Sequence, residues 1–513
     1  MPGMAASSAP VRLAGPPGSA AVAAGSAEVV DAALSVLSRG GSAADAAVAG
    51  ALTAVMAEPV LASLGGGGFL MHAEPGESAS VLDFFVDVPG LQAQDVPSSP
   101  DVRTVVVDFR RTGSAAGSSE QVFHGGWGTV GVPGCLDGLV EAHRRWGVLP
   151  FFEVAAPAVG RARDGVVLSA GQRMFLHLVT DLLNLTDESR AVFAQVERSG
   201  RYVNGQYANL LDAMTAGAVS GIAADIFADR LLDASRAGRG LLTLSDLQHY
   251  APVLREPLEL ARAGARVWTN PPPSVGGSIV VAALERIPHA HGHLDAGAVA
   301  QVLADATTEQ RRRGTVRKGT THLSVVDARG AQAALTLSNG SGSGTVVPHW
   351  GVAMNNMLGE EDLRPADGHP LLPGERMGSM MAPTIVETSS GARIALGTGG
   401  SERIRSAVLT TLLRLIDEGR ELPEAVAAPR IHASEAGPIH VEPGWSAADL
   451  DRLNAASVQR GWPGVEQWSD ANLFFGGVHA VQREPDGVVE AVGDRRRTGS
   501  VGVLLPDGSD MRA

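Results

Sequence analysis

The stretch RRRGTVRKGTTHLSVVD, residues 311–327, joins two unlike kinds of sequence. Its first half is basic and broken by glycines; from Thr320 onward it alternates with period two. The five basic residues within 311–318 read as a solvated linker rather than a nucleic-acid patch. A linker has no need of a Thr-Thr pair at its end. A chain that cuts itself to expose a new N-terminal threonine does need one.

The alternation runs through a turn signal at Asp327–Gly330 into AQAALTLSNG, residues 331–340, which predicts a β-hairpin. A three-residue loop over 328–330 sets Asp327 opposite Ala331. In that register Thr320 faces Ser338, His322 faces Thr336 and Ser324 faces Ala334. Directly opposed residues share a face, so the face carrying Thr320 is polar. The other face, with Thr321/Leu337, Leu323/Leu335 and Val325/Ala333, is apolar and suits a core. By geometry alone the cluster of Thr320, Ser338 and Thr336 fits a hydrogen-bonded structural ladder first, and a nucleophile with its orienting partners second. Threonine is a weak nucleophile unless a base sits beside it. An N-terminal threonine carries that base in its own α-amine, with a pKa of about 8. This requires cleavage of Gly319–Thr320, and glycine suits the strained peptide that precedes an N-to-O acyl shift.

Working outward, residues 26–56 are Ala-rich with helical spacing, divided by Gly40-Gly41, with Ser42 as N-cap of the second helix. Four glycines in LGGGGFL (64–70) mark backbone packed too closely for side chains, or backbone approaching a ligand. No Gly-Lys-Ser/Thr follows, so this is not a phosphate loop. Residues 79–88 read as a strand, 100–125 as a polar surface excursion, and GVPGCLDGLVEAHRRWG as a helix. Helices and loops alternate over 150–250. Beyond Gly319 strand signals dominate, at 382–387, 393–397, 476–482, 488–492 and 500–505, with one helix at 402–418. Helices packed on sheets throughout predict a layered α+β architecture.

The bulk numbers bound the function. With 44% hydrophobic and 19% charged residues, 513 residues bury a large core. A formal net charge of −14 argues against nucleic acid as a partner. Cys135 is the sole cysteine, which excludes an internal disulfide and a Cys-based zinc site, and it reads as a packed core thiol. The 14 histidines show no HExxH or comparable spacing, so no metal or cofactor is implied. His322 reads as a satisfied structural histidine. Residues 1–20, rich in Pro, Gly, Ala and Ser, read as a flexible tail. No basic segment followed by an apolar one opens the chain, so the expectation is a cytoplasmic protein without a membrane span.

At this point the motifs accumulate. GTTHLSVVD (319–327) resembles the autoprocessing junction of the γ-glutamyltranspeptidase family of N-terminal nucleophile hydrolases. So, in family order, do GSAADAAVA (41–49), LGGGGFL (64–70), GVPG (131–134), RARDG (161–165), NPPPSVGG (270–277), NNMLGEEDL (355–363), MMAPTIV (380–386), GTGGSERIRSAVL (397–409) and AVAAPRIH (425–432). The resemblance implies a four-layer αββα sandwich. It implies a precursor that cuts itself into a large chain, 21–319 behind the tail, and a small chain, 320–513, which stay associated in one domain. It implies Thr320 as nucleophile and Ser338 as the second hydroxyl beside it. Gly399 and Gly400 are the implied oxyanion-hole pair; glycine lets an amide approach a developing oxyanion without a side chain in the way. Asn339 lies one residue from the family's substrate-contacting asparagine.

The implied substrate pocket departs from the pattern. Where the family has Asp-Phe-Arg-Glu, with the arginine holding a substrate carboxylate, this chain has DFFVDVPG (83–90), with Phe85 at the arginine position. The family's Ser-Ser-Met becomes Ser379-Met380-Met381. The acid after the family's Asn-Asn-Gln-Met becomes Gly359, with Glu360 next to it. Losing a bidentate carboxylate anchor costs about 2–4 kcal/mol of binding. The expected function is a γ-glutamyltransferase-like hydrolase or acyltransferase of small molecules with a modified pocket. Two alternatives stand beside it. One is a hydrolase recruited to a secondary-metabolite pathway, such as C–C bond hydrolysis in alkylproline-unit biosynthesis. The other is a catalytically silent scaffold.

Overall fold

The computed structural model describes residues 9–92, 97–108, 120–289, 294–311, 319–359, 370–434 and 437–513. Two large antiparallel sheets hold fifteen strands between them. In chain order these are β1 (Val11–Gly15), β2 (Ala20–Ala24), β3 (Gly67–Ala73), β4 (Ser80–Phe84), β5 (Val253–Arg255), β6 (Leu258–Arg262), β7 (Ala265–Thr269), β8 (Thr320–Val326), β9 (Gln332–Ser338), β10 (Thr384–Glu387), β11 (Arg393–Gly399), β12 (Gly477–Arg483), β13 (Val489–Gly493), β14 (Ser500–Leu504) and β15 (Asp510–Arg512). One sheet runs β1-β13-β12-β11-β10-β7-β6 and the other β15-β14-β2-β8-β9-β3-β4-β5.

Helices cover the outer faces. α1 (Ala27–Leu37) and α2 (Ala43–Ala57) share a core with the apolar face of β8 and β9, through Leu323, Val325, Ala333, Leu335 and Leu337. α3 (Cys135–Trp146) extends that layer. α4 (Val275–Arg286) and α6 (Arg403–Ile416) pack on the other sheet, with α5 (Ala296–Arg311) against α4. The two sheets meet between these layers, with Phe69, Met71, Val326 and Ala334 of one packed among residues such as Leu396 and Val481 of the other. The fold is the four-layer αββα sandwich.

Local sequence explains the elements that position the site. Ser42 caps α2 in a capping box with Asp45, whose carboxylate also accepts from the amides of Val148 and Leu149. The hairpin β8–β9 has the expected register throughout, from Thr320↔Ser338 to Val325↔Ala333. Its loop is held by Asp327, whose Oδ1 accepts from the amides of Arg329, Gly330 and Ala331. The Gly65–Gly68 run is close-packed as read: a Cβ on Gly66 would stand 2.2 Å from the Ser338 carbonyl oxygen, and one on Gly68 2.5 Å from that of Thr336.

Two expectations need correction. Within residues 1–20, read as a flexible tail, residues 11–15 form β1 on β13. The Pro-Gly-rich composition hid a strand that takes its pairing from a partner near the other end of the chain. The polar excursion at 100–125 contains a paired hairpin, Arg103–Asp108 against Glu120–Gly125, whose exposed Val106 and Val122 alternate with buried Val105, Val107 and Phe123.

Candidate functional site

Thr320 is the first residue of β8 and is buried at 4% exposure, against the opposite sheet. A Cβ built on Gly399 would lie 1.9 Å from the Thr320 carbonyl oxygen, so only glycine fits there. Gly400 follows with φ +141°, a backbone state that side chains disfavour, and α6 begins three residues later. The Gly399-Gly400 corner thus stands before the N-terminus of a fourteen-residue helix, where the dipole favours negative charge. Ser338, directly across the ladder from Thr320, donates from its Oγ to the Gly319 carbonyl oxygen at 2.5 Å and accepts from the Gly340 amide at 3.1 Å. Gly319 itself adopts φ +57°, and a Cβ there would collide with the Gly340 carbonyl oxygen at 1.4 Å. The fold therefore brings Thr320, Ser338, Gly399 and Gly400 together around the Gly319–Thr320 peptide.

His322 lies deeper on the same face. Ser324 Oγ donates to the His479 carbonyl oxygen at 3.1 Å, so it must accept from His322 Nε2 at 2.9 Å; Nδ1 then accepts from Thr336 Oγ at 2.8 Å. Burial, with His479 nearby, holds its pKa well below the ordinary histidine value. This is a neutral structural histidine, as read. Cys135 is a buried thiol whose pKa is pushed up by burial and Asp137.

The pocket residues scatter. Phe85 follows β4, three strands across the sheet from β8; it is fully buried and stacks on Phe69 at 5.7 Å between ring centres. Its ring is core, and it is not among the residues lining the cavity beside Thr320. Ser379 is likewise buried: its carbonyl accepts from Ser274 Oγ and the Val275 and Gly276 amides, which fastens the start of α4. Met380 is core. Asn339 is buried next to Ser338, with Nδ2 donating to the Met354 carbonyl at 3.4 Å and Oδ1 without a donor among the described residues. Glu360 and most of the basic linker lie outside the described residues.

Three residues escaped the sequence reading. Glu58 ends α2 and accepts from Thr321 Oγ at 2.7 Å; burial raises its pKa to about 7, against the opposing effects of Thr321 and Arg497. Arg497 reaches the Gly399-Gly400 corner, with Nη1 3.2 Å from where a Gly399 Cβ would stand and Nη2 3.7 Å from that of Gly400. Thr320, Gly399, Glu58 and Arg497 share the lining of one cavity of about 50 Å³. Arg376 bonds Asp87, the Asp83 carboxylate and carbonyl, and the Ala251 carbonyl, and its guanidinium lies over the ring of Tyr250. A glutamate ending an apolar helix and the third arginine of DRRRTG were the only signals available.

The chain is similar to known proteins in sequence and in fold. The chain matches the gamma-glutamyltranspeptidase family over residues 30–308 and 293–504. Among curated relatives, a glutathione hydrolase proenzyme of Pseudomonas aeruginosa is 28% identical over 459 residues, covering 77% of this chain and 80% of that protein. The acylase ACY 1 proenzyme of Pseudomonas sp. (strain V22) is 27% identical over 526 residues, covering 91% and 90%. In fold, the chain is similar to a cephalosporin acylase from Bacillus halodurans, with a TM-score of 0.79 at 22% identity over 98% of each chain. The fold class is that of the N-terminal nucleophile hydrolases. The chain belongs to the gamma-glutamyltranspeptidase family.

Among the described residues no helix is long and apolar enough to cross a membrane, and no group of histidines, cysteines and carboxylates has the geometry to hold a metal ion.

Proposed function

We propose that this protein is a self-cleaving acyl hydrolase or acyltransferase whose nucleophile is Thr320. The observation that carries the reading is the Ser338 Oγ–Gly319 carbonyl hydrogen bond, made at a left-handed glycine directly before Thr320. In the precursor, Thr320 Oγ attacks the Gly319 carbonyl carbon. Ser338 donates to the oxygen as it becomes an oxyanion. Collapse expels the Thr320 nitrogen, which takes up a proton, and leaves an ester. Water hydrolyses that ester, giving a Gly319 carboxylate and a free Thr320 amine. The pieces ending at Gly319 and starting at Thr320 stay interlocked, because β8 and β9 pair between β2 and β3 from before the cut.

In the mature enzyme the α-amine takes the proton from Thr320 Oγ as it attacks the acyl carbonyl. The Gly399 and Gly400 amides stabilise the oxyanion. The amine leaving group departs protonated, and water or a second amine releases the acyl group. The relatives' names point to glutathione and to acylase substrates. Phe85, buried against Phe69 where the family holds a carboxylate, supports a pocket that differs from that of a glutathione hydrolase.

Intact mass of the purified protein, beside Thr320→Ala, tests the mechanism. Two fragments splitting at Gly319–Thr320, absent from the variant, are expected. A single uncut wild-type chain with native-like folding would withdraw the assignment.

A further inference from the structure

We infer that Arg497 is the specificity-determining residue of the acyl site, binding a carboxylate carried by the substrate in the cavity beside Thr320. The inference rests on the reading of Thr320 as nucleophile and adds the group that selects the substrate.

Four observations carry it. The first is position. The guanidinium lies against the Gly399-Gly400 corner, and that corner lies against Thr320. A substrate whose carbonyl meets Thr320 and these glycines has Arg497 within reach of its acyl chain. The second is an open binding capacity. Arg497 Nε is cut off from solvent with no hydrogen-bond acceptor among the described residues, while the residue as a whole is half-buried and opens on the cavity. A guanidinium offers five donors in a fork that matches a carboxylate. The third is the neighbour. Glu58 is the carboxylate that faces Arg497 across the cavity, but its contact is Thr321, and burial keeps it partly protonated near neutrality. His479, also in the lining, is kept neutral by burial, with a pKa lowered to about 4. Burial lowers the pKa of Arg497 to about 10, against the attraction of Glu58 and of Asp494, the latter already bonded to Arg430 and Arg496.

The fourth is the fate of the other arginines. Arg376, beside Phe85, is saturated by Asp83, Asp87 and Ala251. Arg144 pairs with Glu141 on the surface of α3. Arg496 lines the same cavity but is held by Glu442 and Asp494. The space is sufficient: about 50 Å³ holds a group the size of a few waters, each needing roughly 10–15 Å³.

The test uses succinate, glutarate and adipate as probes, with glutaramide as the neutral control, by titration calorimetry on the full protein. Wild type is expected to bind at least one diacid tenfold or more tighter than glutaramide. Arg497→Gln is expected to lose that preference and Arg497→Lys to keep part of it. In Arg497→Gln the KM for glutaryl-4-nitroanilide is expected to rise tenfold or more relative to that for pentanoyl-4-nitroanilide, so the ratio between the two substrates reads the carboxylate contact apart from any general loss of activity. No wild-type preference for any diacid, or a preference that survives Arg497→Gln, overturns the inference. Cleavage at Gly319–Thr320, read by mass on the same samples, reports separately on the nucleophile: a chain that stays uncut yet binds diacids through Arg497 refutes the mechanism alone.

Discussion

Arg376 and Arg497 are cations held in the same protein in opposite ways. Arg376 has a side chain only 10% exposed and spends its donors on Asp83, Asp87 and two carbonyls, with Tyr250 beneath it. Arg497 has a buried Nε with no acceptor and faces a carboxylate bonded to a threonine instead. A saturated buried charge is a structural fastener, since breaking it strands its partners. An unsaturated one beside a cavity is held ready for a ligand, because folding leaves its hydrogen-bonding capacity unused.

The largest expected effect that separates the two is on stability. Arg376→Gln leaves Asp87 without its partner and Asp83 with Arg255 alone, and is expected to cost about 3–5 kcal/mol in denaturant unfolding. A loss below about 1 kcal/mol would break the contrast.

Arg497→Gln removes no described hydrogen bond and is expected to cost about 1 kcal/mol or less in the same assay. A loss equal to that of Arg376→Gln would make Arg497 a fastener too.

The third effect depends on pH. The folded-state pKa of Glu58 is raised from 4.5 to about 7, so between these values the folded state binds more protons than the unfolded one. Stability from this group is therefore greatest below about pH 4.5 and declines as pH rises toward 7, by on the order of 3 kcal/mol. Glu58→Gln removes this contribution. The stability difference between variant and wild type is expected to shift in the variant's favour from pH 5 to pH 8, and a difference that stays flat would place Glu58 in a tight pair with Arg497.

How much of this was legible varies with the range of the interaction. The β8–β9 hairpin was readable to the residue, because its register follows from a three-residue loop and period-two alternation. The α1–α2 pair was readable from Gly40-Gly41 and the Ser42 cap, which are local signals. Strand β1 was not, since Pro-Gly-rich flanks look loose and only β13, far along the chain, supplies its partner. The role of Phe85 was half legible. The missing arginine shows in DFFVDVPG, but that the ring turns into the core against Phe69 is a matter of packing.

The sequence alone determined the layered αββα class, the family and the pairing of Thr320 with Ser338, and it supplied the proposal of a Gly319–Thr320 junction, because each depends on residue order within short windows or on motifs kept in series. Tertiary structure alone decided that Gly399 meets the Thr320 carbonyl, that Glu58 and Arg497 share one cavity with them, and that Arg376 is spent while Arg497 is not. These residues are separated by tens to hundreds of positions, and whether a charge is paired depends on which neighbours the packed sheets bring to it.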